Sequence, residues 1–470
     1  MSQTGVPRKR ACGTAPRCAA GIPPGARADG WPGAVRFTLV GVSQPPTSRA
    51  PQGAAHELRA WAQALAAVVA GVVAMAVVAA LGLWAAGAAD LPGGAFAAVV
   101  AAAMVTAVGG TVELSGDAGF IARTGGGLAV VPLSVTLAGA LALAVLFLLP
   151  LRHHAVTSGR ALLARVARTA VLWLLALLLI ALAARHTFRI QVGEEFLDEL
   201  GEALGATPTV GFRAAVGPTL GYGLLWLLVL LAVALAASRK APLPSRLLRF
   251  QDSVRPAAFV MVVVLLAYVV LGLLAGVVAA FTRGHAAQTF AVLLLGLPNL
   301  AWMAFGIGLG GAWEGRVPGD IGLPVPKPLA AVLRETDGGS GTVDLSSLSE
   351  YDGRAWLLAL LAGLALLAAG FVLAVRSPGG TSPWRLAVRL AVAVAVTLLV
   401  VGLLTRVSAI FGLSLLGLGD LGDFGGEVSL HARLLRLVGF GLLWGLLAGF
   451  IGGLAGSWVR RRGEGAPPGG

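Results

Sequence analysis

Charged residues are scarce in this chain of 470 residues. They make up 12% of the sequence, whereas apolar residues make up 57%. Soluble globular proteins usually contain about 25% charged residues, and disordered chains combine low hydrophobicity with high charge, so both classes are excluded for most of the chain. The mean hydropathy is +0.85, and apolar runs of about 18 or more residues recur, as is typical of transmembrane helices. The sequence predicts an integral membrane protein with several transmembrane helices.

Cysteine and lysine are almost missing. Cys12 and Cys18 are the two cysteines, and only Lys9, Lys240 and Lys327 among 35 basic residues are lysines. The cysteines form neither a disulfide framework nor a zinc-binding spacing. The shortage of lysine indicates a GC-rich genome, and the basic residues lie in loops and tails. The net charge of +13 is therefore explained by membrane topology rather than by nucleic-acid binding. We predict no nucleic-acid partner, no metal and no cofactor.

Motifs for enzymatic chemistry are also absent. The sequence contains no phosphate-binding loop with Gly-Lys-Ser/Thr and no His-Glu-x-x-His, which carry nucleotide hydrolysis and zinc catalysis respectively. Ionisable residues are missing from the central stretches of the strongest apolar segments, which argues against a proton relay at the midplane. We predict no catalytic residues, and an enzyme is the least favoured class of function.

Ten apolar segments alternate with polar loops, and two of them are weak. The segments are 61–86, 93–109, 127–150, 164–184, 217–237, 257–281, 286–310, 355–375, 387–405 and 435–456. Segment 93–109 is short and ends in Gly109-Gly110. Segment 286–310 contains Pro298-Asn299 at its centre, and proline disfavours a continuous helix. Both weak segments are predicted to be re-entrant or interfacial.

The distribution of basic residues favours eight spans over ten. If both weak segments return to the side from which they came, inner segments hold 23 basic residues and outer segments 12. If all ten segments cross, the split is 19 against 16, which is a poorer fit to the excess of positive charge expected inside. We therefore predict a protein of the plasma membrane with eight spans and with both termini in the cytoplasm. Ten full spans are the alternative.

The eight-span arrangement divides the chain into two similar halves. The sequence Gly-Tyr-Gly-Leu-Leu-Trp at 221–226 resembles Gly-Phe-Gly-Leu-Leu-Trp at 439–444. The predicted fold is an all-α membrane protein of two tandem parallel repeats, each with four transmembrane helices and one short re-entrant or interfacial helix. The predicted boundaries are a disordered tail or overlong gene start at 1–58, repeats at 59–240 and 257–462 with an outer loop at 311–354, a basic inner linker at 241–256, and a disordered tail at 463–470.

Three stretches resemble the streptophobe family, a group of hydrophobic membrane proteins of streptomycetes and related actinobacteria. They are Gly-Leu-Pro-Asn-Leu-Ala-Trp at 296–302, Glu-Tyr-Asp-Gly-Arg at 350–354 and Gly-Leu-Gly-Asp-Leu-Gly at 417–422. The resemblance covers about residues 59–456 and leaves out the N-terminal tail. It implies an actinobacterial membrane protein, and it brings no established activity, cofactor or catalytic residue.

The strongest candidate site is a pair of glutamates, each preceded by two glycines. Glu113 follows Gly109 and Gly110, and Glu314 follows Gly310 and Gly311. Glycine allows a sharp turn or close approach to a ligand. If the two weak segments meet at the axis between the repeats, both carboxylates would face an outer vestibule that attracts cations. The alternative is that each glutamate solvates a loop.

Two further features have more than one interpretation. Pro298 and Asn299 either bind a ligand or satisfy backbone groups that the proline frees. A stripe of small residues in the last segment allows close helix packing, either inside the chain or in a homo-oligomer. The stripe consists of Gly441, Gly445, Gly449 and Gly453. Separately, residues 194–204 have the spacing of a short acidic amphipathic helix.

Two classes of function therefore lead. The first is a transporter or channel for a small solute, with its site at the interface between the repeats. The second is a non-catalytic integral membrane protein that acts as an assembly or cell-envelope partner. Duplication and the weak segments favour the first class, and the lack of ionisable groups within the spans favours the second. The lipid bilayer is the one partner that both require.

Overall fold

The chain, seen in a computed structural model, divides into two compact units, residues 1–53 and 54–470. The structure describes residues 50–117, 122–153, 159–189, 209–238, 245–282, 286–316, 341–377, 381–415 and 426–464. All contacts discussed below lie within the second unit. The predicted surface helix at 194–204, and most of the predicted tails at 1–58 and 463–470, lie outside the described residues.

Eleven α-helices occur in the described part of the chain. They are α1 (Ala50–Ala85), α2 (Phe96–Ala107), α3 (Leu133–Leu148), α4 (Gly159–Ala183), α5 (Val216–Ala237), α6 (Ser245–Thr282), α7 (Ala286–Gly308), α8 (Leu345–Tyr351), α9 (Leu357–Arg376), α10 (Pro383–Leu404) and α11 (Leu434–Glu464). Helix α6 begins inside the predicted inner linker 241–256.

Eight of these helices, among the residues described, are long and apolar enough to cross a membrane. They are α1, α4, α5, α6, α7, α9, α10 and α11. Large apolar side chains are exposed along them at helical spacing, for example Leu65, Val69, Val73 and Val77 on α1. Soluble proteins rarely expose apolar patches of this extent, whereas a bilayer covers them. The prediction of a polytopic helical membrane protein is confirmed.

Two helices differ from the segments predicted for them. The predicted break at Pro298 is wrong, because α7 runs through this proline as one helix of 23 residues. The hydroxyl of Ser134 accepts a hydrogen bond from the backbone N–H of Leu297 and donates one to the carbonyl of Leu293, which stabilises the backbone beside the proline. The predicted span 127–150 is instead divided between the end of a strand and the 16-residue helix α3.

The sequence did not predict the eight-stranded antiparallel sheet that accompanies the helices. Its strands are β1 (Val112–Asp117), β2 (Ala122–Val130), β3 (Arg185–Arg189), β4 (Thr209–Ala214), β5 (Trp313–Arg316), β6 (Gly341–Val343), β7 (Val407–Leu415) and β8 (Gly426–Ala432). Their spatial order is β3-β4-β1-β2-β7-β8-β5-β6. Each half of the chain thus contributes four adjacent strands, and the two sets join where β2 pairs with β7 from Ala122↔Leu415 to Val130↔Val407.

The sheet lies at one end of the helical bundle, which we call the sheet end. Helix α4 ends at Ala183 and β3 begins at Arg185, and β4 ends at Ala214 just before α5. The second half repeats this connection, since α10 leads into β7 and β8 leads into α11. The hairpins therefore join helices at the same end of the bundle, and the opposite end holds the first turns of α4 and α10.

Each half has its own apolar core. One cluster is built from residues between Val68 and Leu231. The other is built mainly from residues between Ala257 and Ala448. The two cores exchange side chains, because Leu133 of α3 belongs to the second cluster, Val131 packs against that cluster, and Leu295 of α7 packs against the first. The contact between α3 and α7 is thus a junction between the halves.

The glycine stripe of the last helix packs inside the chain. A Cβ placed on Gly445 would lie 2.5 Å from Ala391 Cα of α10, and one on Gly449 would lie 2.7 Å from Ala387 Cα. Gly441 and Gly453 also face α10. These four glycines let α10 and α11 pack backbone to backbone. They leave no room there for the homo-oligomer contact that the sequence offered as an alternative.

Candidate functional site

Two sharp corners at the sheet end carry the glutamates that the sequence singled out. The first corner joins α2 to β1. Gly109 has φ 86°, a conformation that side chains with a Cβ rarely adopt. Its N–H donates to Thr106 O at 2.9 Å, and the N–H of Gly110 donates to Val105 O at 3.0 Å. These bonds close the helix, and Glu113 follows as the second residue of β1.

The second corner, between α7 and β5, has the same construction. Gly310 has φ 96°, its N–H donates to Ile307 O at 2.9 Å, and the N–H of Gly311 donates to Gly306 O at 2.9 Å. Glu314 then follows as the second residue of β5. The glycines at both corners are therefore required by the backbone turn itself.

Each corner is also anchored to the strand that enters the last helix of its half. The N–H of Ala215, just before α5, donates to Thr111 O at 3.0 Å. In the second half the N–H of Arg433, just before α11, donates to Ala312 O at 2.9 Å. When the two halves are aligned by these hydrogen bonds, Arg213 and His431 occupy equivalent positions. Arg213 lies opposite Glu113, and His431 lies opposite Glu314.

Among the described residues, Glu113 has one ion-pair partner. It lies directly across from Arg213 in the register of β1 and β4, and Arg213 Nε donates to Glu113 Oε2 at 2.8 Å. The side chain of Glu113 is 50% exposed. A pair this exposed contributes about 1 kcal/mol at most to stability, and it neutralises the carboxylate that a cation would need.

Glu314 is more enclosed and has two partners. It lies across from His431 in the register of β5 and β8, and His431 Nε2 is 3.3 Å from Glu314 Oε2. Arg433 donates to Oε1 of the same carboxylate. Only 27% of the Glu314 side chain is exposed. This carboxylate is held by two basic groups and lacks an open face for a cation.

The two glutamates do not share a vestibule. Three strands, β2, β7 and β8, separate β1 from β5 in the sheet. Neighbouring strands lie about 4.8 Å apart, so four strand spacings amount to about 19 Å along the sheet. The expected pair of free carboxylates at the axis is therefore replaced by two separate ion-paired ones. Nowhere in the described ranges do three or more His, Cys, Asp or Glu side chains come together as a metal site would require.

Asn299 joins the two halves through hydrogen bonds. The N–H of Leu133, the first residue of α3, donates to Asn299 Oδ1 at 3.0 Å. Asn299 Nδ2 donates to Val131 O at 2.9 Å. Both partners are backbone groups in the short segment that leaves β2 for α3. The side chain of Asn299 is thus engaged structurally, in agreement with the second of its two sequence interpretations.

Asp344 and Arg436 form a polar contact that the sequence analysis missed. Asp344 caps α8 by accepting from Ser347 N at 3.1 Å and from Ser346 Oγ at 2.6 Å. Arg436 Nη1 lies 3.4 Å from Asp344 Oδ2, and Arg436 Nε donates to Gly310 O at 3.0 Å. Burial acts to raise the pKa of Asp344, but these hydrogen bonds and the charge of Arg436 outweigh it and leave the pKa below its usual range.

The basic partners of the two glutamates were also missed. Arg213, His431 and Arg433 stand far from Glu113 and Glu314 in sequence, and only the strand register brings them together. A signal was available in the alternating stretch Thr-Val-Gly-Phe-Arg-Ala at 209–214, which is typical of a strand with one exposed face. Knowing that stretch to be a strand still does not reveal which strand lies beside it.

Comparison with known proteins adds no relative. No protein-family profile, curated protein or solved structure matches this chain.

Proposed function

We propose first that the chain is a tandem duplication, with the parallel repeats that the sequence predicts. The supporting observation is the pair of corners. Each has a glycine of positive φ, two helix-closing hydrogen bonds, and a glutamate at the second position of the following strand. The strand order supports the same proposal. In each half the third strand along the chain comes first in the sheet, followed by the fourth, the first and the second. Halves of independent origin would have no reason to share this order.

The proposal includes eight crossing helices, namely α1, α3, α4, α5, α6, α9, α10 and α11, with α2 and α7 confined to the sheet end. Asn299, two residues past the middle of α7, lies beside the end of β2, and a Cβ on Gly308 would meet Leu358 in the first turn of α9. Helix α3 instead runs from Leu133 at the sheet end to Leu148, with Phe147 in its last turn. The guanidinium of Arg165, near the start of α4, lies 5.1 Å from the centre of the Phe147 ring.

Orientation follows from charge in this proposal. The end opposite the sheet carries Arg160, Arg165 and Arg168 within the first three turns of α4, and Arg385 and Arg389 within the first two turns of α10. The sheet end carries arginines as well, but there they are offset by acidic residues, which are Asp90, Glu113, Glu314, Asp344, Glu350 and Asp352. Positive residues favour the cytoplasmic side. The sheet would therefore face outward from the cell membrane, and both termini would lie in the cytoplasm.

We propose that the protein is a non-catalytic envelope or assembly partner that presents this sheet as its recognition surface. One contrast supports the proposal. The membrane part is packed by apolar residues and glycine contacts, and the end opposite the sheet has the exposed ion pair of Arg168 with Glu57. The sheet end has the ion pairs of Glu113, Glu314 and Asp344. We therefore place the recognition surface on the sheet, where these polar side chains lie.

Shielding of the sheet tests this proposal. Single cysteines are introduced at Ser429 on β8 and, as a matched control, at Glu350 on α8, in a chain whose Cys12 and Cys18 are replaced by serine. A membrane-impermeant maleimide is applied to intact cells and to the purified chain in nanodiscs. We expect Ser429→Cys to react several times more slowly in cells than in nanodiscs, with Glu350→Cys unchanged. If the ratio of the labelling rate in cells to that in nanodiscs is the same at both positions, the proposal of a partner bound to the sheet is contradicted.

A small-solute transporter or channel is the second candidate, and one observation favours it. Asn299 and Ser134 place polar groups where the two halves meet, which is where duplicated transporters bind their substrates. Reconstituted liposomes test this candidate with potassium, sodium and small neutral solutes. Flux that exceeds that of empty liposomes would favour transport over the envelope role. We also propose kinship with the streptophobe family on the three stretches given above.

A further inference from the structure

An open cleft lies on the first half of the sheet, away from the glutamate of the second half. Its volume is about 490 Å³, and it is lined by Ser115, Arg185, His186, Thr187, Gly211, Phe212 and Arg213. Small-ligand sites usually occupy about 300–1,000 Å³. The lining combines two guanidinium groups with two hydroxyl groups, which are hydrogen-bond donors suited to phosphate oxygens.

The strand register places these donors on one face of the sheet. Arg185 lies across from Arg213, and Thr187 lies across from Gly211, which in turn lies across from Ser115. Residues opposite each other, and residues two apart along a strand, point to the same face. The two arginines and two hydroxyls therefore surround Gly211. A Cβ at Gly211 would lie 3.1 Å from His186 O, so this glycine keeps the floor of the cleft open.

The charges of the described residues in the cleft are not balanced. Arg185 and Arg213 are directly opposed on neighbouring strands, and like charges in this position are destabilising. Glu113 pairs with Arg213, and Arg185 has no ion pair among the described residues. The row Arg185–Arg213–Glu113 keeps one net positive charge, which an anion between the two arginines would neutralise.

The second half lacks the same arrangement. When the halves are aligned by the corner hydrogen bonds, the position of Gly211 in the first half corresponds to Ser429 in the second. The position of Ser115 corresponds to Arg316. The second-half counterpart of Arg213 is His431, which contacts Glu314. The open glycine floor between two opposed arginines is thus a property of the first half alone in this alignment.

The cleft also lies at the level where an apolar span ends. The apolar span of α4 ends at Ala183, two residues before Arg185, and the span of α5 begins at Val216, three residues after Arg213. Donors at the ends of spans lie at the depth of lipid headgroups.

We propose that this cleft binds a phosphate group, held between Arg185 and Arg213 and hydrogen-bonded by Ser115 and Thr187. The same chemistry fits the phosphodiester of an anionic phospholipid and free inorganic phosphate. The site does not depend on the sheet's role as a recognition surface or on solute transport.

The test measures ligand-induced stabilisation of the full chain. The chain is purified in detergent, and the midpoint of thermal unfolding is followed during titration with short-chain phosphatidylglycerol, with inorganic phosphate, or with sodium chloride at matched ionic strength. The variants are Arg185→Gln and, as a milder change with little risk to folding, Ser115→Ala. Arg354→Gln is the control, because Arg354 is an exposed basic residue outside the cleft.

We expect phosphatidylglycerol to raise the midpoint, and its apparent affinity to fall about tenfold in Arg185→Gln and a few-fold in Ser115→Ala, with no change in Arg354→Gln. A cleft-dependent response to the lipid alone identifies the headgroup as the source, and an equal response to inorganic phosphate identifies a free anion. Stabilisation that is absent with both ligands, or that is the same in all variants and with sodium chloride, would overturn the proposal.

Discussion

The two halves of the molecule share a framework but differ in what they place on it. Both turn from a helix into the sheet through a glycine of positive φ. In the first half the glutamate after the turn is 50% exposed and has one arginine partner. In the second half the equivalent glutamate is 27% exposed and has a histidine and an arginine. The backbone turns of the two halves are alike, whereas the side chains that surround the two glutamates differ.

The last helical hairpins of the two halves differ in the same way. Gly441 of α11 matches Gly223 of α5, but the next three positions of the glycine stripe match leucines in α5. These are Leu227, Leu231 and Leu235. The second half therefore packs its hairpin by backbone contact, whereas the first packs it through side chains such as Leu227 and Leu231, which are fully buried. The second half depends more strongly on single small residues.

The largest expected effect comes from giving the second half a leucine of the first. Gly445→Leu inserts a side chain where a Cβ alone would lie 2.5 Å from Ala391 Cα. Overpacking of this kind costs about 3 kcal/mol, so we expect a large fall in the midpoint of thermal unfolding in nanodiscs. Gly439→Leu is the matched control, since a Cβ at Gly439 meets nothing within 4 Å. Equal midpoints for the two variants would refute the backbone contact between α10 and α11.

The next effect tests the junction at which the halves meet. Asn299→Ala leaves the N–H of Leu133 and the carbonyl of Val131 without their side-chain partner. Loss of a buried partner costs about 1–3 kcal/mol, and we expect the midpoint of thermal unfolding to fall accordingly. Thr397→Ala serves as the control, because the Thr397 hydroxyl bonds only to the carbonyl of Ala393 in its own helix. A loss no greater than that of the control would show that Asn299 does not tie the halves together.

The glutamates give a smaller and unequal effect. We expect Glu314→Gln to destabilise the chain by about 1 kcal/mol and Glu113→Gln by about 0.3 kcal/mol, because the first is less exposed and loses two basic partners. Thermal unfolding at low ionic strength and at high salt measures both. The difference between the variants shrinks in high salt if charge is its cause. Equal losses of stability in the two variants would show that the two glutamates contribute equally, which contradicts this prediction.

The smallest effect is an acid dependence that comes from Asp344 in the second half. The pKa of Asp344 is lower in the folded chain than in the unfolded chain. Its contribution to stability is therefore fully present above the unfolded value of about 4, and is lost as pH falls through the folded pKa. We expect Asp344→Asn, which can still cap α8, to flatten the fall in unfolding midpoint between neutral and strongly acidic pH. Among the described residues, the first half has Pro218 where the second has Arg436, so it lacks the equivalent of the contact between Asp344 and Arg436.

The sequence was sufficient for the elements that depend on composition and local pattern. Apolar length predicts the membrane helices, and Gly-Gly before Glu113 and Glu314 predicts that the backbone turns there. The continuous path of α7 was not predictable from Pro298, because the stabilising hydroxyl of Ser134 lies 164 positions away in the chain. The sheet was missed for a related reason. Short glycine-rich strands such as β2 carry little periodicity, and their pairing with β7 depends on contacts between residues almost 300 positions apart.

The central claim is that both halves build one sheet at a single, outward-facing end of the bundle, opposite a basic cytoplasmic end. Sidedness tests it most directly. Single cysteines replace Asp90 in the first half and Glu350 in the second, both at the sheet end, and Ser382 at the start of α10, in a chain without Cys12 and Cys18. Intact cells are treated with a membrane-impermeant maleimide. The account predicts labelling at 90 and 350, and labelling at 382 only after the membrane is permeabilised. Labelling of one half without the other, or of 382 in intact cells, would contradict it.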